Sequence, residues 1–401
     1  MTNIFNSLTS LIHKNAGAKK RKKIHIHDVR IYILILATLW WLLLASINSL
    51  ELSLLQVEWS FDATFAIYIY IPVCFLICII PILTFPLKSI PDSVFRERRI
   101  ELPLRIFFYF FIFLFLIQAI IFTPPAFTGD PSAGRLEWGF KYVHVLSEIF
   151  IRAGVLACAG AAASRGYISR ADAMVLLASV IYAILVVSRG LILEILIYFI
   201  FASILSSRQK FISIKIRRKH IIWFSIIWLV FIVYGEWRQG DEFSISEYGE
   251  MLIDSNVIAW IFGYFLVNYD NLALIIMNDF RNDSLTNIFG PLLQTLQILN
   301  YEEIDDYLYV GRFNLGTALR PFVLDYGPWF GGLAFSLLLS LVLLLPNLCR
   351  FSSSRFAILI SLTYMTLLFP VTSRIELPAY VFPLILIIIF DRFFRVKFAR
   401  N

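Results

Sequence analysis

Residues 171–206 read ADAMVLLASVIYAILVVSRGLILEILIYFIFASILS. Two apolar runs, about 171–187 and about 191–206, are separated only by Ser188-Arg189-Gly190. Apolar runs of about 17–25 residues match the thickness of a bilayer. So short a corner sends the second run straight back beside the first, and the stretch reads as two neighbouring membrane spans. The rest of the chain repeats the pattern. Of 401 residues, 59% are hydrophobic and 16% charged, with a mean hydropathy of +0.77. No soluble domain is built this way.

Further spans are predicted at about 31–50, 63–85, 104–123, 142–163, 220–235, 328–346, 355–371 and 377–391. With the two above they make about ten transmembrane helices in an all-α, polytopic membrane protein. Residues 1–30 form a basic tail carrying Lys14, Lys19, Lys20, Arg21, Lys22, Lys23 and Arg30. Residues 31–401 form a single membrane domain. The tail is not expected to be a cleaved signal, because its basic part is long and a full-length span follows. Cys74, Cys78, Cys158 and Cys349 lie in or beside apolar spans without metal-ligand spacing and read as packing residues.

Basic residues orient the spans. With ten spans, every strongly basic loop and both termini fall on the cytoplasmic side, as the positive-inside rule requires. Trp59, Trp138, Trp237 and Trp329 then fall at the outer boundary, as an aromatic belt does. This puts 26 of the 35 Lys+Arg inside. The other nine are Arg135, Lys141, Arg152, Arg189, Arg238, Arg281, Arg312, Arg320 and Arg374, eight of them arginines. A guanidinium kept on the outer side suits bidentate binding of phosphate or carboxylate. The net charge of +7 lies mostly in short loops of one sidedness, so nucleic acid is not an expected partner.

One large outer loop is predicted over 236–327, with 14 Asp+Glu against four Arg. Its apolar stretch 257–277 is interrupted by Asn268-Tyr269-Asp270-Asn271, which favours a pair of interfacial or re-entrant helices. Residues 290–299 read as a further amphipathic piece on the membrane. Glu302-Glu303 and Asp305-Asp306 read as solvated carboxylates, and no metal or cofactor is expected. No internal repeat is visible, which weighs against a transporter.

Several short constellations stand out, each with a plain and a functional reading. Arg189 in its tight corner either grips an anionic ligand or snorkels to lipid phosphate, and Gly190 would let the chain turn and a ligand approach. Glu194, one turn beyond, neutralises an arginine rather than acting in catalysis. Arg238, within Gly235-Glu236-Trp237-Arg238-Gln239-Gly240, is a ligand group or an interface anchor. His144, Glu148 and Arg152 are spaced i, i+4, i+8 on one helix face. They form either a structural salt bridge or a polar wall, and His144 is either a base or a hydrogen-bonded structural residue. The run 314–327, NLGTALRPFVLDYG, carries Arg320, Asp325 and Tyr326; Pro321 is expected to keep it irregular, and the plain alternative is a loop capped by Asp325.

With these residues in place, the chain resembles the O-antigen polymerase (Wzy-type) family of oligosaccharide repeat-unit polymerases. The resemblance covers most of the chain. The Ser-Arg-Gly-like corner matches 188–190, and the outer arginine before the large loop matches Arg238. The pre-span pattern matches Asn314, Thr317, Pro321, Phe322, Asp325, Tyr326 and Gly327, while Arg320 is no part of it. The resemblance implies a GT-C-like glycosyltransferase of the bacterial inner membrane with its site facing the periplasm. It would serve O-antigen, capsular or exopolysaccharide synthesis. Donor and acceptor would both be undecaprenyl-diphosphate-linked oligosaccharides in the lipid bilayer, with a chain-length regulator protein as a further partner.

Transfer of a glycan from a lipid diphosphate builds charge on the leaving oxygens, and pre-placed arginines stabilise it without a metal. Arg189 and Arg238 are the expected diphosphate clamp. Arg312, Arg320 or Arg374 would hold the second diphosphate or the sugar, with Arg152 lining the cavity. Asp325, Glu236 and His144 are the candidate bases. The competing functions are an O-antigen ligase-like transferase, a flippase for lipid-linked oligosaccharide and a non-catalytic assembly partner.

Overall fold

Residues 28–49, 57–87, 101–128, 138–208, 211–214, part of 218–229, 256–280, 286–295, 317–372, 374 and 377–393 are described by the computed structural model. They are almost entirely helical. In chain order the helices are α1 (Val29–Ile47), α2 (Phe61–Thr84), α3 (Glu101–Ile121), α4 (Lys141–Arg165), α5 (Arg170–Leu185) and α6 (Arg189–Ile204). A hairpin of β1 (Leu205–Arg208) and β2 (Phe211–Ile214) follows, with Leu205 opposite Ile214. Then come α7 (Asn256–Met277), α8 (Thr286–Thr295), α9 (Arg320–Leu344), α10 (Ser352–Leu367) and α11 (Pro378–Phe393). Five stretches are long and apolar enough to cross a membrane: Val29–Ile47, Phe61–Thr84, Glu101–Phe127, Val143–Arg165 and Arg320–Leu348. The chain is a helical membrane protein.

Polar clamps at the helix ends show how the helices alternate. At the end where α1 begins, Arg30 is wholly buried and held by Asp28 at 2.6 Å. Its Nη1 donates to Leu343 O (3.0 Å), at the end of α9, and its Nη2 to Phe85 O (2.9 Å), just past α2. Glu101, Arg105, Arg165 and Asp172 join the start of α3, the end of α4 and the start of α5. Asp391 accepts from the backbone N–H groups of Arg350 (2.7 Å) and Phe351 (3.1 Å), tying the end of α11 to the entry of α10. We call this the near end. At the far end, Phe140 N–H donates to Gln118 Oε1 (3.0 Å) and Ala318 N–H to Phe369 O (2.7 Å). Each clamp supplies partners that helix ends lack and that a bilayer would not provide.

The centre of the bundle is α4, 78% of whose spanning window is buried, against 22% for α3. Its sequence from 153 to 163, AGVLACAGAAA, explains this. Small residues let neighbouring backbones approach, the packing that membranes favour in place of hydrophobic collapse. At Gly160 a Cβ would stand 2.6 Å from Ala357 N and nearer still to Ser353 O, so α4 and α10 touch backbone to backbone.

Three local expectations are corrected. Residues 257–277 do not form a broken pair: α7 is one continuous 22-residue helix. Its polar Asn268, Asp270 and Asn271 are buried against the bundle, and Asp270 finds donors there, so no break is needed to satisfy it. Pro321 does not keep 314–327 irregular from its own position onward, because it sits in the first turn of α9, where its missing N–H costs nothing. The break comes later, at Gly327 (φ 73°, ψ 172°) before Pro328. The turn residue before α6 is Val187 (φ 53°), not Gly190. The amphipathic piece expected at 290–299 overlaps α8 (Thr286–Thr295), which starts four residues earlier; 296–299 lie outside the described residues.

Candidate functional site

Arg152 lies eleven residues into α4, roughly 16 Å along its axis at 1.5 Å per residue. A cation at such depth needs partners. Its Nη1 donates to Glu148 Oε2 at 3.0 Å, one turn back on the same helix. Its Nε donates to Glu194 Oε2, also at 3.0 Å, on α6. Glu194 is fully buried and accepts a second bond, from Tyr198 OH at 2.6 Å, at i+4. The Arg152 guanidinium also sits 5.0 Å from the ring centroid of Tyr380, in the first turn of α11. Arg374, in the turn before α11, sits 4.9 Å from the same ring. Tyr364, near the end of α10, stacks on Tyr380 (6.3 Å, 25°) and meets Tyr198 edge-on (5.3 Å, 77°). Four helices thus converge on two arginines, two glutamates and three tyrosines.

The electrostatics separate the two arginines. Arg152 is 6% exposed and lies between two carboxylates, so its charge is already met within the protein. The ion pairs among the described residues engage Arg30, Arg105, Arg152 and Arg165 but not Arg374. The Nε of Arg374 finds no hydrogen-bond partner among those residues either. Tyr380 holds Arg374 by its ring face, which attracts a cation without using the N–H groups. A guanidinium held this way keeps its planar fork for a bidentate anion.

The sequence-predicted residues are distributed unevenly around this cluster. Arg152 and Arg374 are brought together on one ring. His144 lies two turns before Arg152 on α4, its ring edge-on to Trp138 at 5.8 Å. Arg189 is the first residue of α6, five residues before Glu194; its side chain lies outside the described part. Glu236, Arg238 and Arg312 lie outside the described residues. Arg320 opens α9, partly buried, and Tyr326 is exposed. Asp325 accepts from Asn287 Nδ2 (2.7 Å), Asn287 N (3.2 Å) and Ile288 N (2.9 Å), and so caps the start of α8.

Tyr198, Tyr364 and Tyr380 escaped the sequence reading. Only Tyr198 had a local signal, four residues after Glu194 in an otherwise apolar helix. The corner before α6 is itself unusual. Val187 N–H donates to Ile184 O and Ser188 N–H to Ala183 O, the paired bonds of a Schellman helix end. Such an end wants glycine at its left-handed position, and here a β-branched valine occupies it. At Gly190 a Cβ would meet no atom within 4 Å, so that backbone faces open space. Comparison with protein-family models, curated proteins and solved structures finds no match.

Proposed function

We propose that the protein is a polysaccharide polymerase of the inner membrane. In this reading it joins undecaprenyl-diphosphate-linked oligosaccharide repeat units on the periplasmic side, within a GT-C-like arrangement of about ten spans. The observation that carries the proposal is the pair of guanidiniums on Tyr380 inside a membrane bundle, one paired with Glu148 and Glu194 and the other in no ion pair among the described residues. Such a site costs too much to be kept without an anionic ligand or a partner.

The roles follow from the bonding. Arg374, in no ion pair among the described residues, offers its guanidinium to the diphosphate. Arg152 is locked by Glu148 and Glu194, so it shapes the site and sets its charge. Arg189, at the first turn of α6, adds a cation beside the orphan N–H groups of a helix start, where anions are favoured. Arg238, Arg312 and Arg320 remain candidates for the second diphosphate or the sugar. As the glycan leaves its carrier, negative charge grows on the diphosphate oxygens, and a pre-placed donor contributes about 3–4 kcal/mol there. The acceptor hydroxyl needs a base within about 2.6–3.2 Å. Asp325 is poorly placed for this task, since three N–H donors already hold its carboxylate.

The reading is tested by the glycan of a deletion strain complemented with variants. The deletion should leave single repeat units on the surface lipid. Arg374→Lys, expressed at wild-type level, should shorten the polymer and lower the transfer rate by about 10²-fold, the loss of one charge-stabilising donor. Full-length polymer accumulating on undecaprenyl diphosphate in the deletion would instead mean a ligase. Repeat units trapped on the cytoplasmic face would mean a flippase.

A further inference from the structure

Two of the helices stop short of the far end. α10 and α11 have 16 residues each, about 24 Å at 1.5 Å per residue, against a hydrocarbon core of about 30 Å. Asp391 ties the end of α11 to the entry of α10 at the near end, so both helices run from the same plane. Trp40 Nε1 donates to the carbonyl of Leu367, the last residue of α10, at 3.1 Å. Residues 41–47 of α1 still lie beyond Trp40, about 10 Å of helix. Just past Leu367, the Phe369 ring lies 5.4 Å from Phe75 and 5.2 Å from Phe335, both well inside their helices. In the first turn of α11, Tyr380 meets the guanidinium of Arg152. The turn between α10 and α11 therefore lies within the depth of the bundle.

The segment ahead of the α9 break starts from that turn. Ala318 N–H donates to Phe369 O at 2.7 Å. From Arg320 the chain is helical as far as Tyr326, and it breaks at Gly327. A straight helix would set residues 322 and 331 about 13 Å apart, nine residues at 1.5 Å. Instead, a Cβ at Gly331 would stand 2.5 Å from Phe322 O, and the Phe322 ring meets Phe335 edge-on at 5.2 Å. Residues 317–326 are thus folded back along the start of the spanning part of α9, and occupy only the outer part of the bundle. Non-helical backbone at such depth is tolerated inside protein or beside water, not beside lipid. The side chains choose between the two. Arg320 and Arg374 are only partly buried, as are Thr372 and Leu377 in the turn. A partly exposed guanidinium at that depth faces water, since lipid would make its charge very costly.

We propose that the α10–α11 turn and residues 317–326 wall a water-filled recess, open at the far end, that delivers a hydrated anion to Arg374. The ligand's charged group comes down the recess from far-end water and not sideways through lipid. The inference rests on the arginine site but not on what is transferred there, and its test reads no glycan.

The test is thiol labelling of the full chain in lipid nanodiscs, where the reagent meets both faces and orientation plays no part. Single cysteines replace Thr372 and Leu377 in the turn, Tyr326 at the rim, and Leu337, which points away from the bundle two residues past Phe335. An anionic methanethiosulfonate attacks the thiolate, and a thiol ionises in water but not in lipid. Thr372→Cys and Leu377→Cys should react at least about a hundredfold faster than Leu337→Cys and within about tenfold of Tyr326→Cys. The native cysteines are buried, so wild-type protein should stay unlabelled. A variant that labels more than once per chain has unfolded, and the other turn position then carries the test. Inorganic pyrophosphate should slow Leu377→Cys severalfold, and Arg374→Gln should remove that protection. Turn positions as slow as Leu337→Cys would overturn the proposal. So would labelling that pyrophosphate leaves unchanged, or protection that survives in Arg374→Gln.

Discussion

Val187 carries a cost that a glycine would not. A left-handed φ of 53° sets a branched side chain against the backbone, at about 1–2 kcal/mol. Val187 is also fully buried, so Val187→Gly trades that strain for a lost apolar side chain and a cavity; the net should be a destabilisation of about 1–2 kcal/mol, measured as a fall in Tm. Strain of this kind is kept where the surrounding structure uses it. The residue two positions on is Arg189, so the same variant should loosen the α6 entry and lower polymer yield. Normal polymer at wild-type expression would separate the corner from the site. The corner itself was plain in the sequence, because a charge between two apolar runs is conspicuous. Its left-handed residue was not, because Gly190 is the residue that turn chemistry favours and tertiary packing chose its neighbour instead. The same holds for Tyr364 and Tyr380. Aromatic residues inside apolar spans look like packing until another helix brings a guanidinium to their faces.

At the scale of elements, helix positions were legible because apolar length is a strong signal. Spans expected at 31–50 and 104–123 correspond to α1 at Val29–Ile47 and α3 at Glu101–Ile121. The polar interruption in α7 misled because its partners, Asn48 and Trp59, are more than 200 residues away in the chain. Asp325 also has a partner that local sequence does not reveal. Its position before a span suggested chemistry, yet its carboxylate takes the place of an N-cap for α8, contributed from another helix. Asp325→Ala should strip those bonds and cost about 1–2 kcal/mol of α8 docking. Amide hydrogen exchange at residues 287–292 should speed up by about tenfold, with the rest of the bundle unchanged. Asp325→Asn keeps an acceptor oxygen, so it should keep polymer synthesis largely intact. A complete loss of polymer in Asp325→Asn with normal exchange would return the base role to this residue.

For the whole molecule, the chemistry open to the cluster depends on which end of the bundle faces out. The near end gathers Arg30, Arg105 and Arg165 into ion pairs. The far end bears Trp59, Trp138 and Trp329, and the Arg374 turn precedes α11 on the same side. The basic stretches 88–100 and 209–219 follow α2 and α6 in the chain, and both helices end at the near end, so the positive-inside rule predicts that this end faces the cytoplasm. The native cysteines give a clean background for testing this, because Cys74, Cys78, Cys158 and Cys349 are all buried. Two exposed positions mark the two ends: Phe127, after α3 at the far end, and Tyr167, between α4 and α5 at the near end. In spheroplasts, a membrane-impermeant maleimide should label Phe127→Cys at once. Tyr167→Cys should react only after the membrane is opened. The reverse pattern would place Arg374 and Tyr380 towards the cytoplasm. A periplasmic polymerase would then be untenable, and a site for cytoplasmic lipid-linked precursors would take its place, because the cluster's fork would meet anions only from that side.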